Sequence, residues 1–141
     1  MANALLLPAV VLILWSLIML VWMAATRVPA AKKLGVDIGA SVGGRGGDLD
    51  PQVPAPVAWK SHNYTHLMEQ PTLFYATVVI LAHLGADTAT NVALAWGYVG
   101  LRIAHSLWQV LINKVSVRFV LFVLSTLCLL GLAINALLML L

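Results

Sequence analysis

Two long runs without a charged residue, Ala4 to Thr26 and Phe119 to Leu141, set the main constraint on this chain. A hydrocarbon core of about 30 Å is crossed by about 20 apolar residues in a helix. Both runs meet that length. Two further runs, Leu67 to Leu84 and Asn91 to Ile112, meet it once Glu69 and Arg102 are admitted. The expected fold is therefore all-α: a single-domain integral membrane four-helix bundle. Its spans cover about 4–26, 57–84, 91–112 and 118–141, with one long cytoplasmic loop over about 27–56.

Composition supports this. Of 141 residues, 62% are hydrophobic and 9% charged, and the mean hydropathy is +0.97. A water-soluble domain carries about 25% charged residues, so the deficit leaves too little to coat a surface. Cys128 is the lone cysteine, which excludes a disulfide framework. It reads as a small hydrophobe in an apolar run. The first run lacks a basic leading region and exceeds the about 7–15 apolar residues of a secretory signal. It is read as a retained helix.

Orientation follows from the basic residues. Arg27, Lys32, Lys33, Arg45 and Lys60 fall in the first connection, and Lys114 and Arg118 in the third. The second connection holds only Asp87. The positive-inside rule makes the basic side cytoplasmic and puts both termini on the other side of the inner membrane. Trp15 and Trp22 suit either interface anchors or packing residues.

The long loop contains Gly43-Gly44-Arg45-Gly46-Gly47, followed by Asp48, Asp50 and prolines at 51, 54 and 56. A glycine cluster cradles phosphate when a helix N-terminus follows it. Here two aspartates follow and repel an anion, so a flexible loop is expected. Pro54 and Pro56 suit a helix start near Val57.

The informative residues are polar ones within the spans. An ionisable group inside a membrane helix costs about 2.5–3.5 kcal/mol on insertion scales, faces the bundle interior and finds a partner. Glu69 lies about 18 Å along the second helix counted from Val57, and Arg102 about 16 Å from the cytoplasmic end of the third. Their matched depth and opposite sign predict a pair, within or between chains. A structural ion pair and a functional site are both open at this point. Arg102, His105 and Gln109 are spaced three and four apart and share one helical stripe. His66 precedes Glu69 by one helical turn, and Arg118 opens the fourth helix. Together they predict a net-positive cavity near the cytoplasmic side. Such a site suits an anionic ligand, with apolar walls for a lipophilic small molecule.

Other chemistries are weaker. His62 and His66 have the spacing of paired helical metal ligands, but no second carboxylate or cysteine joins them, so no metal is expected. Ser106 and Thr65 read as hydrogen-bonders to helix backbone or between helices. His83 reads as a packing residue. No nucleophile–base–orienter set is present. The basic residues are scattered on loops, which argues against nucleic acid.

The stretch His62-Asn-Tyr-Thr-His-Leu-Met-Glu69-Gln-Pro71-Thr-Leu-Phe-Tyr75 resembles the second-helix signature of the MAPEG family, membrane-associated proteins of eicosanoid and glutathione metabolism. Arg102-Ile-Ala-His105-Ser resembles the third-helix Arg-x-x-His motif. Val117-Arg118-Phe119 is similar to the arginine that opens the fourth helix. The resemblance implies a homotrimer that binds glutathione between subunits as co-substrate. Arg118 would stabilise the thiolate, since a nearby cation favours the anionic thiol. Glu69 would contact the glutathione amine and help pair Arg102. His105 and Arg102 would hold a carboxylate or support the site. Arg27 is a further candidate for a carboxylate contact, and His66 and Gln109 complete the candidate glutathione-binding set. The chain departs from the eukaryotic synthases: Thr65 and His66 stand where they have Arg-Asn, Gln109 and Phe122 where they have tyrosines, and Phe119 where they have serine. The pattern of Asn63, Glu69, Pro71, Phe74 and Tyr75 looks more like the bacterial-type branch. The implied activity is glutathione transferase or peroxidase chemistry on a lipophilic substrate. The alternative is a non-catalytic membrane protein that binds lipid or small molecules, its buried polar cluster serving trimer assembly.

Overall fold

The first apolar run does not stop being helical where its charges begin. In the computed structural model, which describes residues 4–141, α1 spans Leu6–Lys33 and carries Lys32 and Lys33 in its last turn. Basic residues there complement the negative end of the helix dipole. Gly35, at φ 75°, ends it: Gly35 N donates to Lys32 O at 3.0 Å and Val36 N to Ala31 O at 3.1 Å. This is a Schellman closure, which needs a residue with positive φ.

The second path is broken. α2 covers Ala55–Met68 and α3 covers Gln70–His83, with Glu69 between them at φ −85°, ψ −99°. The cause lies two residues on. Pro71 has no N–H to give the carbonyl four residues earlier, and its ring crowds that carbonyl. The single helix expected over 57–84 is thus two helices in series, and Pro71 was its visible signal. α4 spans Ala89–Leu111, opened by Thr88, whose Oγ1 accepts from Asn91 N at 3.2 Å. α5 spans Val115–Leu140. The described residues contain five α-helices, a short 3-10 turn at Gly46–Leu49 and no strand.

The helices run alternately up and down. Lys60 Nζ lies 5.3 Å from the Trp22 ring, which sets the end of α1 beside the start of α2. Asn135 Nδ2 donates to Asn91 Oδ1 at 2.7 Å, which sets the end of α5 beside the start of α4. Between these levels Phe74 stacks on Tyr98, with centroids 4.3 Å apart. Leu12, Phe74, Val78, Leu81, Val99 and Leu132 fill the core. Cys128 sits against Gly97, where an added Cβ would lie 3.3 Å from its Sγ, so it packs as a small apolar group.

α1 and α5 are each long and apolar enough to cross a membrane. Only 28% of the most apolar window of α1 and 17% of that of α5 is buried. Leu14, Leu17 and Val21 on α1, and Phe119, Leu127 and Leu138 on α5, stand exposed. Faces this apolar need lipid or another protein surface against them.

The connection after α1 has its own local order. Asp37 Oδ1 accepts from Gly39 N at 2.9 Å and Ala40 N at 3.3 Å. Asp48 Oδ2 accepts from Arg45 N at 2.7 Å, closing the 3-10 turn. Asp37, before the glycine cluster, and Asp48, after it, act here as backbone acceptors, while Asp50 accepts from the Arg27 side chain. Composition alone suggested only a flexible tether.

Candidate functional site

The three-and-four spacing on α4 does what the helical period requires. Arg102, His105, Ser106 and Gln109 are all buried on the face turned to the other helices. Arg102 is 1% exposed. Its Nη2 donates to Gln70 Oε1, and its guanidinium carbon lies 5.3 Å from the Tyr98 ring and 5.1 Å from the Phe122 ring. The Tyr98 hydroxyl also donates to Gln70 Oε1, at 3.4 Å, and Gln70 Nε2 donates to Thr126 Oγ1 at 2.9 Å. Gln70 thus ties α3 to α4 and α5. Stacking on aromatic faces and one amide acceptor replace water around the buried cation.

Within one chain the expected pair of Glu69 and Arg102 does not form. Glu69 sits at the break, its side chain 64% exposed, with Oε2 lying 3.3 Å from His66 Nδ1 but off hydrogen-bond direction. The break turns the carboxylate outward and Gln70, the next residue, inward.

His66 and His105 meet edge to face, with centroids 4.8 Å apart. Together with Arg118, Val115, Phe119 and Phe122 they line a cavity of about 170 Å³. Arg118 stands in the first turn of α5, and its Nη1 donates to Asn113 Oδ1 at 2.6 Å. The lining holds one permanent cation, two imidazoles, apolar walls and no carboxylate. An anionic group with an apolar neighbour fits that chemistry.

The remaining candidates lie apart. Gln109 is buried without lining this cavity, and its Oε1 has no partner in the chain. Arg27 points into the loop: its Nη1 pairs with Asp50 Oδ1 at 2.7 Å, and His62 Nε2 lies 3.2 Å from Asp50 Oδ2. Arg27 lines a second cavity of about 400 Å³ between the end of α1 and the loop, with Ala31, Ile38 and Leu49. Among the described residues no group of three His, Cys, Asp or Glu gathers as a metal site.

Sequence reasoning passed over three polar residues. Gln70 holds Arg102, although it stands inside the quoted second-helix motif. Asn63 Nδ2 donates to Ser106 Oγ at 2.8 Å, and Trp15 Nε1 donates to the same oxygen at 3.1 Å. Ser106 therefore joins α1, α2 and α4, and Trp15 is a packing residue with a polar contact. Asn113, two residues past the end of α4, accepts from Arg118. The signal for each was an uncharged amide at a span interior or turn, where a polar group needs a partner.

One family model matches this chain, over residues 5–138, nearly its whole length: that of the MAPEG family. No curated protein and no solved structure matches it.

Proposed function

Since the chain belongs to the MAPEG family, and so to a family of membrane proteins concerned with glutathione transfer and eicosanoid metabolism, we propose that it is a glutathione-dependent enzyme acting on a lipophilic substrate. The observation that carries this reading is the meeting of Arg118, His66 and His105 at one cavity. Arg118 holds the glutathione sulfur as thiolate, because an adjacent cation stabilises the anion over the thiol. In transferase chemistry the thiolate then attacks an electrophilic carbon, a carbon–sulfur bond forms, and the displaced group or a proton uptake balances the charge. In peroxidase chemistry two glutathiones reduce a hydroperoxide to an alcohol and water and leave as the disulfide. His105 and His66 offer the protons and contacts that polar ends of glutathione need, and Phe119 and Phe122 offer the apolar wall.

The complete site belongs to a homotrimer in this reading. The cavity in one chain is well below the about 300–1,000 Å³ of a ligand pocket, so a neighbouring subunit supplies the other wall. Glu69 supports this. It lies about 20 Å from either end of the α2–α3 path at a 1.5 Å rise, and its side chain is 64% exposed. A carboxylate facing lipid there costs about 2.5–3.5 kcal/mol, whereas a neighbour's cation or the glutathione amine removes the penalty. Gln109 lies beneath the site as a buried polar group whose Oε1 has no partner in the chain. Arg102, enclosed by Gln70 and Tyr98, supports the site from within, and Arg27 guards its cytoplasmic approach.

The protein crosses the inner membrane four times, by α1, the α2–α3 path, α4 and α5, with both termini on the non-cytoplasmic side. The basic residues Arg27, Lys32, Lys33, Arg45, Lys60 and Lys114 support that orientation. The motif around Asn63, Glu69 and Pro71 supports the bacterial-type branch.

Calorimetric titration of the purified protein with glutathione tests the reading. Binding is expected, with thiolate absorbance that Arg118→Ala removes and conjugation lowered by about 100-fold, the scale of losing one charge-stabilising donor. No heat of binding at millimolar glutathione returns the chain to the non-catalytic reading, a lipid-binding trimer.

A further inference from the structure

Arg118 occupies an electrostatically awkward place. It stands in the first turn of α5, where the exposed backbone N–H groups make the helix end positive and repel a guanidinium. No acidic residue lies in that turn. An arginine side chain also has wide rotamer freedom, so without a tether it swings toward water. The tether present is an amide. Asn113 Oδ1 accepts from Arg118 Nη1 at 2.6 Å, across the turn between α4 and α5.

Asn113 is the one non-glycine with positive φ among the described residues, at 60°. Glycine is the usual occupant of such a position after a helix, with asparagine the next choice. The turn does not depend on the Asn113 side chain. Asn113 N donates to Trp108 O at 2.7 Å, Ile112 N donates to the same oxygen at 3.0 Å, and Trp108 Nε1 reaches Lys114 O at 3.3 Å. The amide is therefore spare for another task.

We propose that Asn113 is the positioning residue for Arg118, a neutral acceptor that fixes the guanidinium at the cavity of His66, His105 and Phe122 without cancelling its charge. A carboxylate would hold the arginine as firmly, but it would neutralise the field that favours an anion in the cavity. The neutral amide leaves the guanidinium and the positive end of α5 acting together on whatever anion enters. The consequence for glutathione rests on the function proposed above; the fixing of Arg118 does not.

Asn113→Gly tests this, because glycine accepts the positive φ and removes only the acceptor. Two readouts are taken on the purified protein: the rate at which phenylglyoxal modifies Arg118, read by mass spectrometry, and the thiol pKa of bound glutathione, read from thiolate absorbance against pH. In Asn113→Gly the modification is expected to run several-fold faster, and the bound thiol pKa to rise toward that of free glutathione. Asn113→Asp is expected to keep the slow modification while also raising the thiol pKa. Modification of Arg118 at the parent rate in Asn113→Gly overturns the proposal. Faster modification in a protein that never binds glutathione upholds the fixing of Arg118 and overturns the proposed function instead.

Discussion

The side-chain oxygen of Gln70 accepts from the guanidinium of Arg102 inside the bundle, and the same oxygen receives the Tyr98 hydroxyl. The charged residue expected to meet Arg102, Glu69, is one position away and faces out. Gln70→Leu removes the acceptor and leaves the buried cation with aromatic faces alone. A hydrogen bond to a charged group contributes about 1.5–3 kcal/mol, and a loss of that size is expected in thermal unfolding of the purified protein. Gln70→Glu, which returns an acceptor to the same place, is expected to retain most of the stability. Equal melting temperatures for parent and Gln70→Leu would show that the amide is idle.

Glu69 is expected to govern assembly more than the fold of one chain. Glu69→Ala removes no hydrogen bond within the chain, so the helical content seen by circular dichroism should stay at the parent level. The mass by light scattering in detergent should fall below that of the parent, from the proposed trimer toward monomer. A stable trimer in Glu69→Ala would place the exposed carboxylate outside the subunit interface.

Ser106 accepts from two helices at once, through Trp15 Nε1 and Asn63 Nδ2. Ser106→Ala orphans both donors, each costing about 1–3 kcal/mol when buried without a partner. Trp15→Ala or Asn63→Ala leaves the hydroxyl with one donor still in place. A double-mutant cycle on Asn63 and Ser106 is expected to show coupling of about 0.5 kcal/mol or more. Strict additivity would mean that the three helices meet there by packing alone.

The loop after α1 is pinned by Arg27 to Asp50, with side chains only 12% and 16% exposed. Arg27→Ala frees Asp50 and leaves its second oxygen to His62. Cleavage by trypsin after Arg45 should then run several-fold faster than in the parent under native conditions. An unchanged cleavage rate would mean that the aspartate-closed turns at 37–41 and 45–48 hold the segment unaided.

The helical class was legible because charge-free length leaves few alternatives: α1 and α5 cover nearly all of the two charge-free runs that begin at Ala4 and Phe119. The stripe of Arg102, His105 and Gln109 was legible from helical period, and all three are buried as that period demands. The join between α2 and α3 escaped notice although Pro71 was in plain view, because the apolar run continued through it. The order of the glycine-rich loop escaped for another reason. Aspartate reads as a charge in composition, while in a turn its carboxylate works as an acceptor for nearby backbone N–H groups. Gln70, Asn63 and Asn113 escaped because an uncharged amide gives no sign of depth, and only the packing of distant helices reveals which donor it meets.

The enclosure of Arg102 by a residue of the preceding helix bears on how the chain enters a bilayer. In the proposed four-span arrangement, α4 presented alone carries a cation that costs about 2.5–3.5 kcal/mol to bury. Its main polar partner, Gln70, arrives earlier in synthesis, on α3. The two helices are joined by the short turn around Gly85, at φ 67°. In that proposed arrangement they leave the insertion machinery most favourably as one hairpin, already closed around the arginine, so each new chain masks this buried charge with its own residues.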